Sequence, residues 1–326
     1  MSEALRTIHV GLGPIGLRIL RAGVESEICH PVACVDIAPQ IAGESLPRIA
    51  GNDALPDIVV HDDIADALNV AEKAGAEIAV VCTGSRLAQI EDQFHTLLAR
   101  GLSCISTCEE LVFPWLRSPE AADRLDAVAV ENRAALLAAG VNPGFVLDLF
   151  PYMTTRVCCR VDAVEVSRSV DASRRRRQLQ EKIGCSMTPE EFDALAREGR
   201  IGHVGLAESA ALLADSLGWQ WEDYEESIEP LVAEEAISTD YLEVAAGEVR
   251  GQHQKLTMGA VSLELLMALD AEDSDRVRVD GEPSLNVVVP CGIHGDIATA
   301  GAIINFMRPL TMARPGLRTV TEVPLG

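Results

Sequence analysis

The motif HVGLGPIGLRIL near the N-terminus is the feature that most narrowly restricts the fold of this 326-residue chain. It places Gly11, Gly13 and Gly16 in GxGxxG spacing, after an apolar strand-like run and at the start of a helix-like run. The first glycine permits a tight turn, the second lets the backbone approach a phosphate, and the third lets helix and strand pack closely. The motif predicts a dinucleotide site, with Pro14 and Ile15 beside the pyrophosphate at the helix N-terminus.

An acidic residue follows the second strand-like run, at the distance expected of a ribose-binding carboxylate. Asp36 is the penultimate residue of PVACVDI, 20 residues after Gly16, where it would accept hydrogen bonds from the adenosine ribose. No basic residue follows before Arg48, so none is placed to hold a 2′-phosphate. We therefore expect NAD as the cofactor, with NADP as the second candidate. The alternative is that Asp36 is an ordinary turn acid at a strand end.

Short apolar runs alternate with helix-like segments over the first half of the chain. Strands that are apolar almost throughout are typical of a parallel sheet covered on both faces. The fold class is therefore α/β, with an N-terminal Rossmann doubly wound parallel sheet assigned to residues 1–147. The candidate strands are residues 7–12, 31–37, 57–61, 77–83, 102–108 and 134–141.

The pattern changes after this segment to longer elements of mixed period. Thr188, followed by Pro189 and by Glu191 three residues after the cap, is a strong helix start. An apolar helix and several strand-like runs follow, which predicts a C-terminal α+β domain built on a mostly antiparallel sheet over residues 148–294. We expect residues 295–326 to form a helical segment that packs back on the first domain.

Charge and composition restrict the partners. The chain has 50 acidic and 27 basic side chains, a formal net charge of −23, which repels nucleic acids and anionic membranes. No apolar run approaches the roughly 20 residues of a membrane helix, and the N-terminus has no signal-peptide pattern. We expect a cytoplasmic protein that binds neither nucleic acid nor membrane. The arginines at 174–177 are expected to pair with acids across a subunit contact or to lie beside the cofactor.

The nine cysteines show no regular spacing, which favours reduced core thiols over a disulfide framework. No set of His, Cys and acidic residues has the spacing of a metal site, so we predict no bound metal. Candidate functional residues therefore have to be found among side chains that bind no metal and form no disulfide.

Two loops at the carboxyl edge of the predicted sheet carry small or acidic residues. Thr83, Gly84 and Ser85 end VVCTGS and are suited to a cofactor lying across the strand ends, although they would equally suit a plain turn. Glu109 and Glu110 follow the next strand in ISTCEEL. Alternation in an extended chain would send these two side chains to opposite sides, so that one faces the pocket.

A carboxylate in this position suits chemistry on an amine better than on an alcohol. It can pair with a substrate ammonium, stabilise the developing iminium and deprotonate the water that attacks it. A dehydrogenase acting on an alcohol would instead need His or Lys as the proton-transfer group. The competing interpretation is a first-turn acid that interacts with a helix dipole.

Several phrases resemble one known family across nearly the whole chain. They are STCEEL, GVNPGFVLD, VDASRRRRQLQEKIG, GHVGLAES and GIHGDIATAGAIIN, at residues 106–111, 140–148, 170–184, 202–209 and 292–305. The chain resembles the 2,4-diaminopentanoate dehydrogenases and native amine dehydrogenases, which are relatives of dihydrodipicolinate reductase. The histidine-rich segment and catalytic lysine of that reductase are missing here, which argues against its lysine-biosynthetic activity.

The resemblance implies NAD(P)-dependent oxidative deamination of a small amine to a ketone or aldehyde, reversible as reductive amination with ammonia. It implies that a glutamate of the CEEL loop is catalytic, which we carry to Glu109, with Glu110 as the less favoured holder. It also implies a substrate-binding role and a homodimer contact for the second domain. The loop of Asn142, Pro143 and Gly144 resembles one that holds the nicotinamide, or else is a simple interdomain turn.

Three further residues are substrate candidates. His203 and His294 each lie between glycines in predicted loops, and Phe145 follows the nicotinamide-loop motif. The two histidines would orient a polar group of the substrate, or would be turn residues satisfied by the backbone. Two other functions stay open from the sequence: a reductase of cyclic imines or carbonyls, and a non-catalytic NAD-binding regulator.

Overall fold

The structure is a computed structural model that describes residues 3–324. It contains two units: residues up to Phe145 together with those from His294 onward, and Val146–Ile293. No helix within residues 3–324 has the length and apolar character needed to cross a membrane.

The first unit begins with an alternation of strands and helices. Apolar runs form the strands and lie buried between the helices, as a parallel sheet covered on both faces requires. The elements are β1 (Leu5–Val10), α1 (Pro14–Glu25), β2 (Cys29–Val35), α2 (Leu46–Ala50), α3 (Ile64–Lys73), β3 (Ile78–Val81), α4 (Glu91–Leu98), β4 (Ser103–Ser106), α5 (Pro119–Glu131) and β5 (Ala135–Ala138).

The second unit is built on one large sheet. Thr188 and Glu191 form the predicted capping box at the N-terminus of the helix Pro189–Arg197. The elements are α6 (Leu149–Thr155), β6 (Arg160–Asp171), α7 (Arg177–Lys182), α8 (Pro189–Arg197), α9 (Leu206–Ser216), β7 (Glu225–Val232), β8 (Ile237–Ser238), β9 (Glu243–Val244), β10 (Val249–Met258), β11 (Val261–Ala268), β12 (Ser274–Glu282) and β13 (Leu285–Val289).

The chain then returns to the first unit through α10 (Gly295–Thr311) and β14 (Gly316–Arg318). Helix α10 packs against α1, β4 and β5, and a Cβ on Gly23 of α1 would lie 3.8 Å from Ile304 of α10. The strand β14 adds a parallel edge to β5.

The two large sheets have the predicted characters. The first sheet has the order β14-β5-β4-β3-β1-β2, and all its pairs are parallel. The second has the order β13-β12-β6-β11-β10-β7, and only β6 and β11 pair in parallel. The predicted fold class, a Rossmann sheet followed by a mostly antiparallel α+β domain, is therefore confirmed.

The predicted strand at residues 57–61 is wrong. Val59 makes a single antiparallel bridge to Ser45, and His61 makes a single parallel bridge to Val35. The backbone of Val60 is bonded to the turn before α2, since its carbonyl accepts from Gly43 at 2.8 Å and its N–H donates to Glu44 at 2.9 Å. Because this segment divides its hydrogen bonds between two neighbours, it does not extend the sheet.

The reversal of strand order places a crevice in the first sheet. The chain runs from β1 to β2 on one side and then to β3 on the other side of β1. Open α/β sheets bind ligands at the carboxyl ends of strands flanking such a reversal. The crevice rests on an apolar cluster that includes Leu12, Leu20, Cys34, Leu46 and Val60.

Candidate active site

The three glycines after β1 have three different structural roles. Gly11 has φ +89°, and a Cβ there would lie 2.7 Å from the carbonyl oxygen of Cys82. A Cβ on Gly16 would lie 2.0 Å from the carbonyl oxygen of Gly11, so α1 packs directly against the turn. A Cβ on Gly13 would meet no atom within 4 Å. The loop therefore needs Gly11 and Gly16 for its own fold, whereas Gly13 leaves open space.

Helix α1 presents an N-terminus suited to an anion. Gly13 is its N-cap and makes no side-chain capping bond, Pro14 is its first residue, and its first turn carries no acidic side chain. The orphan N–H groups and the helix dipole favour a negatively charged group at this end. Ile15 and Gly16 belong to the same first turn.

Asp36 joins the end of β2 to the glycine loop. Its Oδ2 accepts a hydrogen bond from the N–H of Leu12 at 2.7 Å, and its Oδ1 accepts one from the N–H of Ala38 at 2.8 Å. Each carboxylate oxygen can accept a second bond. The half-buried Asp36 is thus fixed in position by the backbone while keeping acceptor capacity for a ligand.

A cavity of about 590 Å³ lies at this end of the sheet. Of the predicted cofactor residues, it is lined by Gly11, Gly13, Asp36 and Thr83. The hydroxyl of Thr83 donates to Oε1 of Gln93 at 2.7 Å, which fixes the wall on the β3 side. The full lining is Val10, Gly11, Gly13, Val35, Asp36, Ile37, Asp62, Asp63, Ile64, Cys82, Thr83, Gln89, Ile90 and Gln93.

Several lining residues were missed by the sequence reasoning. Asp62, Asp63 and Ile64 follow the segment that was predicted as a strand, and Ile37 follows Asp36. The acidic pair directly after the apolar run DIVVH was a signal that could have found the first two, because it falls at the same carboxyl edge. Gln93 comes from α4 and has no local signal.

These residues fit a nicotinamide dinucleotide. The glycine that would tolerate a side chain sterically, Gly13, faces open space at the N-terminus of α1, where a pyrophosphate is bound in such folds. A carboxylate stands at the end of β2 for a ribose. Gly11, Gly13, Asp36 and Thr83 would hold the adenosine and diphosphate portion of the cofactor.

The loop carrying the glutamate pair lies beside the loop after β3. The N–H of Glu110 donates to the carbonyl oxygen of Ser85 at 3.2 Å, and the thiol of Cys108 donates to the same oxygen at 3.4 Å. Gly84 and Ser85 directly follow Thr83, which lines the cavity. The loops after β3 and β4 therefore form one hydrogen-bonded unit at the carboxyl edge.

The predicted extended alternation through the glutamates is wrong. Strand β4 ends at Ser106, and residues Glu110–Val112 form a 3₁₀ turn with Glu109 as its N-cap, at φ −63° and ψ −45°. A 3₁₀ turn separates successive side chains by about 120° rather than 180°. Oε2 of Glu110 accepts a hydrogen bond from the N–H of Leu87 at 2.8 Å. Since Leu87 opens the 3₁₀ turn Leu87–Gln89, Glu110 caps a neighbouring turn.

Thiols near these loops are kept protonated. Burial raises the pKa of Cys82 to about 12 and that of Cys108 to about 12, the latter helped by the negative charges of Glu109 and Glu110. A thiol with so high a pKa is a poor nucleophile at neutral pH. The half-buried carboxylate of Glu109 is the better candidate for proton transfer at this edge.

The loop after β5 is tightly built. The Asn142–Pro143 peptide bond is cis, and Gly144 has φ +113° with its Cβ position 2.5 Å from the backbone nitrogen of Gly140. The N–H of Val141 donates to Oγ1 of Thr299 in α10 at 3.3 Å. Because β5 pairs with β4, this loop follows the strand next to that of the glutamates.

The structure places the other three substrate candidates in different settings. Phe145 is the residue at which the first unit gives way to the second, and His294 is where the chain returns. His294 is the exposed N-cap of α10, and its Nδ1 accepts from the N–H of Ile297 at 3.5 Å. His203 belongs to the second unit, where its N–H donates to Oε1 of Gln254 at 2.9 Å.

A buried ion pair in the second unit was not predicted. Nη1 of Arg168 lies 2.8 Å from Oδ1 of Asp275, and the two side chains are 4% and 1% exposed. The backbone of Ile293 completes the group, since its carbonyl accepts from Arg168 at 2.6 Å and its N–H donates to Asp275 at 2.7 Å. Burial lowers the pKa of Arg168 and raises that of Asp275, and their mutual attraction opposes both shifts.

The arginine run 174–177 leads into α7, of which Arg177 is the first residue. Arg177 pairs with Glu181 one helical turn later at 2.7 Å, within its own helix. Within residues 3–324, no three or more His, Cys, Asp or Glu side chains come together in a way that could hold a metal ion.

Sequence comparison points to one family. The sequence model described as the 2,4-diaminopentanoate dehydrogenase C-terminal domain matches residues 145–326. A curated 2,4-diaminopentanoate dehydrogenase from Acetoanaerobium sticklandii is 30% identical over 336 residues, covering 99% of this chain and 94% of the relative.

Solved structures share the fold. An amine dehydrogenase from Mycobacterium smegmatis has a TM-score of 0.84 at 22% identity, covering 99% of this chain and 97% of that chain. GenD2 from gentamicin A biosynthesis, solved in complex with NAD, has a TM-score of 0.56 at 14% identity, covering 99% of this chain and 91% of that chain. At these identities the likeness establishes the architecture of both units.

Proposed function

Because the chain belongs to the 2,4-diaminopentanoate dehydrogenase family, we propose that it is an NAD-dependent amine dehydrogenase. The reaction converts the protonated form of a small amine, water and NAD⁺ to a ketone or aldehyde, ammonium, NADH and a proton. In the reverse direction it is a reductive amination with ammonia. The relative's name makes 2,4-diaminopentanoate the first substrate to test.

One observation carries the proposal. Glu109 lies on a loop that is hydrogen-bonded to the loop after Thr83, and Thr83 lines the cavity suited to a dinucleotide. A carboxylate is thereby fixed at the same sheet edge as the cofactor residues. The bound nicotinamide supplies the hydride acceptor there, and the protein has to supply the groups that hold the amine and move protons.

Glu109 is the residue we assign to the amine nitrogen. As a carboxylate it pairs with the substrate ammonium and accepts one of its protons, which it passes to solvent. The lone pair of the neutral amine can then expel hydride from the carbon, and the carboxylate stabilises the positive charge that develops at nitrogen. It then accepts a proton from the water that attacks the iminium carbon, so that ammonia can leave. Glu110 has one oxygen engaged by Leu87, so we assign it to holding the loop.

The remaining predicted residues have supporting roles in this proposal. Asn142, Pro143 and Gly144 hold the nicotinamide end of the cofactor from the loop after β5. Phe145, His203 and His294 contact the substrate. Substitutions of these three substrate-contacting residues would change the Michaelis constant for the amine rather than the affinity for the cofactor.

We propose NAD rather than NADP as the cofactor. The cavity wall that follows β2 carries Asp36, and Asp62 and Asp63 line the same cavity. No Lys or Arg is among the lining residues described for it. Three carboxylates without a cation disfavour the 2′-phosphate of NADP.

We also propose a homodimer formed through the large sheet of the second unit. Along β6 and β10, buried side chains alternate with half-buried or exposed ones, so that one sheet face is less covered than the other. Light scattering of the purified protein distinguishes a dimer from a monomer of 34.9 kDa.

The reductive direction tests the proposed reaction. Purified protein is given NADH and a panel of small ketones, with and without ammonium, and NADH consumption is followed. Amine dehydrogenation predicts consumption that requires ammonium and yields the amine. Consumption without ammonium would identify a carbonyl reductase, and NADH binding without turnover on the whole panel would identify a non-catalytic protein.

A further inference from the structure

Asp62 lies beside Asp36 at the open end of the first sheet. His61 forms its bridge with Val35, and the N–H of Asp36 donates to the carbonyl oxygen of His61 at 3.0 Å. The residue that follows on each segment is Asp36 on one and Asp62 on the other. Backbones paired in a bridge are about 4.8 Å apart, and Asp36 and Asp62 both line the same cavity.

The three carboxylates of the cavity differ in how they are bound by the protein. Asp36 accepts two backbone N–H groups. Oδ1 of Asp63 accepts the N–H groups of Ala65 and Asp66 and so caps α3. The exposed side chain of Asp62 makes no hydrogen bond or ion pair within residues 3–324. Among these three, only Asp62 has its full acceptor capacity available for a ligand.

The same wall of the cavity carries apolar surface. Ile37 is 83% exposed although it directly follows the buried end of β2, and it lines the cavity together with Ile64. An exposed isoleucine beside hydrogen-bond acceptors is the arrangement expected where an adenine ring and its ribose are bound. Asp62 lines the cavity together with Asp36, Ile37 and Ile64, and this group of residues fits the adenosine end of the cofactor.

We propose that Asp62 is a second ribose-binding residue, which acts with Asp36 to select NAD over NADP. The inference rests on the proposed NAD-dependent function. The adenosine ribose of NAD offers two hydroxyl donors, and Asp36 already shares both its oxygens with backbone groups. Asp62 accepts a hydrogen bond from one hydroxyl. In NADP the 2′-phosphate removes one donor and brings its negative charge against two carboxylates.

Binding measurements test this assignment without relying on turnover. Isothermal titration calorimetry of wild type and of Asp62→Asn gives, for each protein, one dissociation constant for NADH and one for NADPH. Loss of a charged acceptor is expected to weaken NADH binding about tenfold, while NADPH binding becomes tighter. The ratio of the NADPH dissociation constant to the NADH dissociation constant should then fall by at least about tenfold.

Asp66→Asn is the matched control. Asp66 is exposed, lies in the first turn of α3 and does not line the cavity, so it makes the same change of charge away from the ribose. Its ratio of dissociation constants should stay at the wild-type value. Equal shifts in both variants would overturn the inference in favour of a general charge effect.

Two further outcomes separate the inference from its premise. If wild type binds NADH and Asp62→Asn keeps the wild-type ratio, Asp62 has no part in cofactor selection and the proposed function is untouched. If wild type binds neither dinucleotide, the proposed function itself fails. A dinucleotide with hypoxanthine in place of adenine provides the remaining check: an effect of Asp62→Asn that disappears with it would assign Asp62 to the base and overturn the ribose contact.

Discussion

The carboxylate of Glu110 accepts a hydrogen bond from the backbone N–H of Leu87 at 2.8 Å. This bond crosses from the loop after β4 to the loop after β3, and the N–H of Glu110 returns one to Ser85. The two adjacent glutamates therefore have different roles in the loop. Glu110 holds the two loops together, and Glu109 is the N-cap of the 3₁₀ turn Glu110–Val112.

Replacing Glu110 should reduce stability. Glu110→Ala removes the acceptor for Leu87 and leaves the N–H of a buried residue without a partner, which costs about 1–2 kcal/mol in the free energy of unfolding. Glu110→Gln retains an amide oxygen as acceptor and should lose less. Chemical denaturation of both variants measures the difference. Equal stability of wild type and Glu110→Ala would show that the bond contributes nothing.

Gly13→Ala should separate cofactor affinity from folding. Gly13 has φ −63°, which alanine adopts, and the added methyl would meet no protein atom within 4 Å. The melting temperature should therefore stay close to the wild-type value, while the dissociation constant for NADH rises at least about tenfold because the methyl occupies the space of the pyrophosphate. Wild-type affinity in this variant would place the phosphates elsewhere. Gly16→Ala is the contrasting variant and should impair folding itself.

Local sequence signals predicted the parts of the fold that depend on local structure. The GxGxxG spacing, the buried strands and the Thr188 capping box each involve residues close in the chain, and the structure contains all of them. The failures occurred where partners distant in sequence decide the outcome. Residues 57–61 have an apolar pattern, but Gly43 and Glu44 take the backbone bonds of Val60.

The predictions for the candidate site also succeeded where the signal was local and failed where distant partners decide the structure. Asp36 was found because its spacing from the glycines is local to one strand–helix–strand unit. Asp62 was missed because its importance comes from its register with Asp36 across a bridge. The extended alternation expected for Glu109 and Glu110 failed because the chain turns after Ser106 to reach Leu87, a partner 23 residues from Glu110.

The Arg168–Asp275 pair should be costly to break from one side. Both side chains are almost fully buried, so Arg168→Met or Asp275→Leu leaves an unpaired charge in the core and should lower the free energy of unfolding by about 3–5 kcal/mol. The double variant Arg168→Met with Asp275→Leu removes both charges and should lose clearly less than the sum of the singles. Additive losses in this cycle would mean that the two groups are not coupled.

His9 should make stability depend on pH. Burial lowers the pKa of His9 from 6.5 to about 4. Between these two pH values the imidazole of His9 is protonated in the unfolded chain but neutral in the folded chain. The stability that the neutral, buried His9 contributes is therefore complete above pH 6.5 and is lost as the pH falls toward 4. The loss amounts to about 3 kcal/mol. His9→Gln should remove this part of the pH dependence, and an unchanged slope in the variant would show that His9 titrates normally.

The most direct test of the central claim is the rate of NADH formation from 2,4-diaminopentanoate and a panel of small amines, in wild type and in Glu109→Gln. The variant keeps the size of the side chain but loses the charge and the proton acceptor. We predict amine-dependent NADH formation with release of ammonia in wild type, a loss of at least about 100-fold in the variant, and an unchanged dissociation constant for NADH. Wild-type turnover in Glu109→Gln would contradict the role of Glu109. NADH binding by the wild type without oxidation of any amine would contradict the proposed reaction itself.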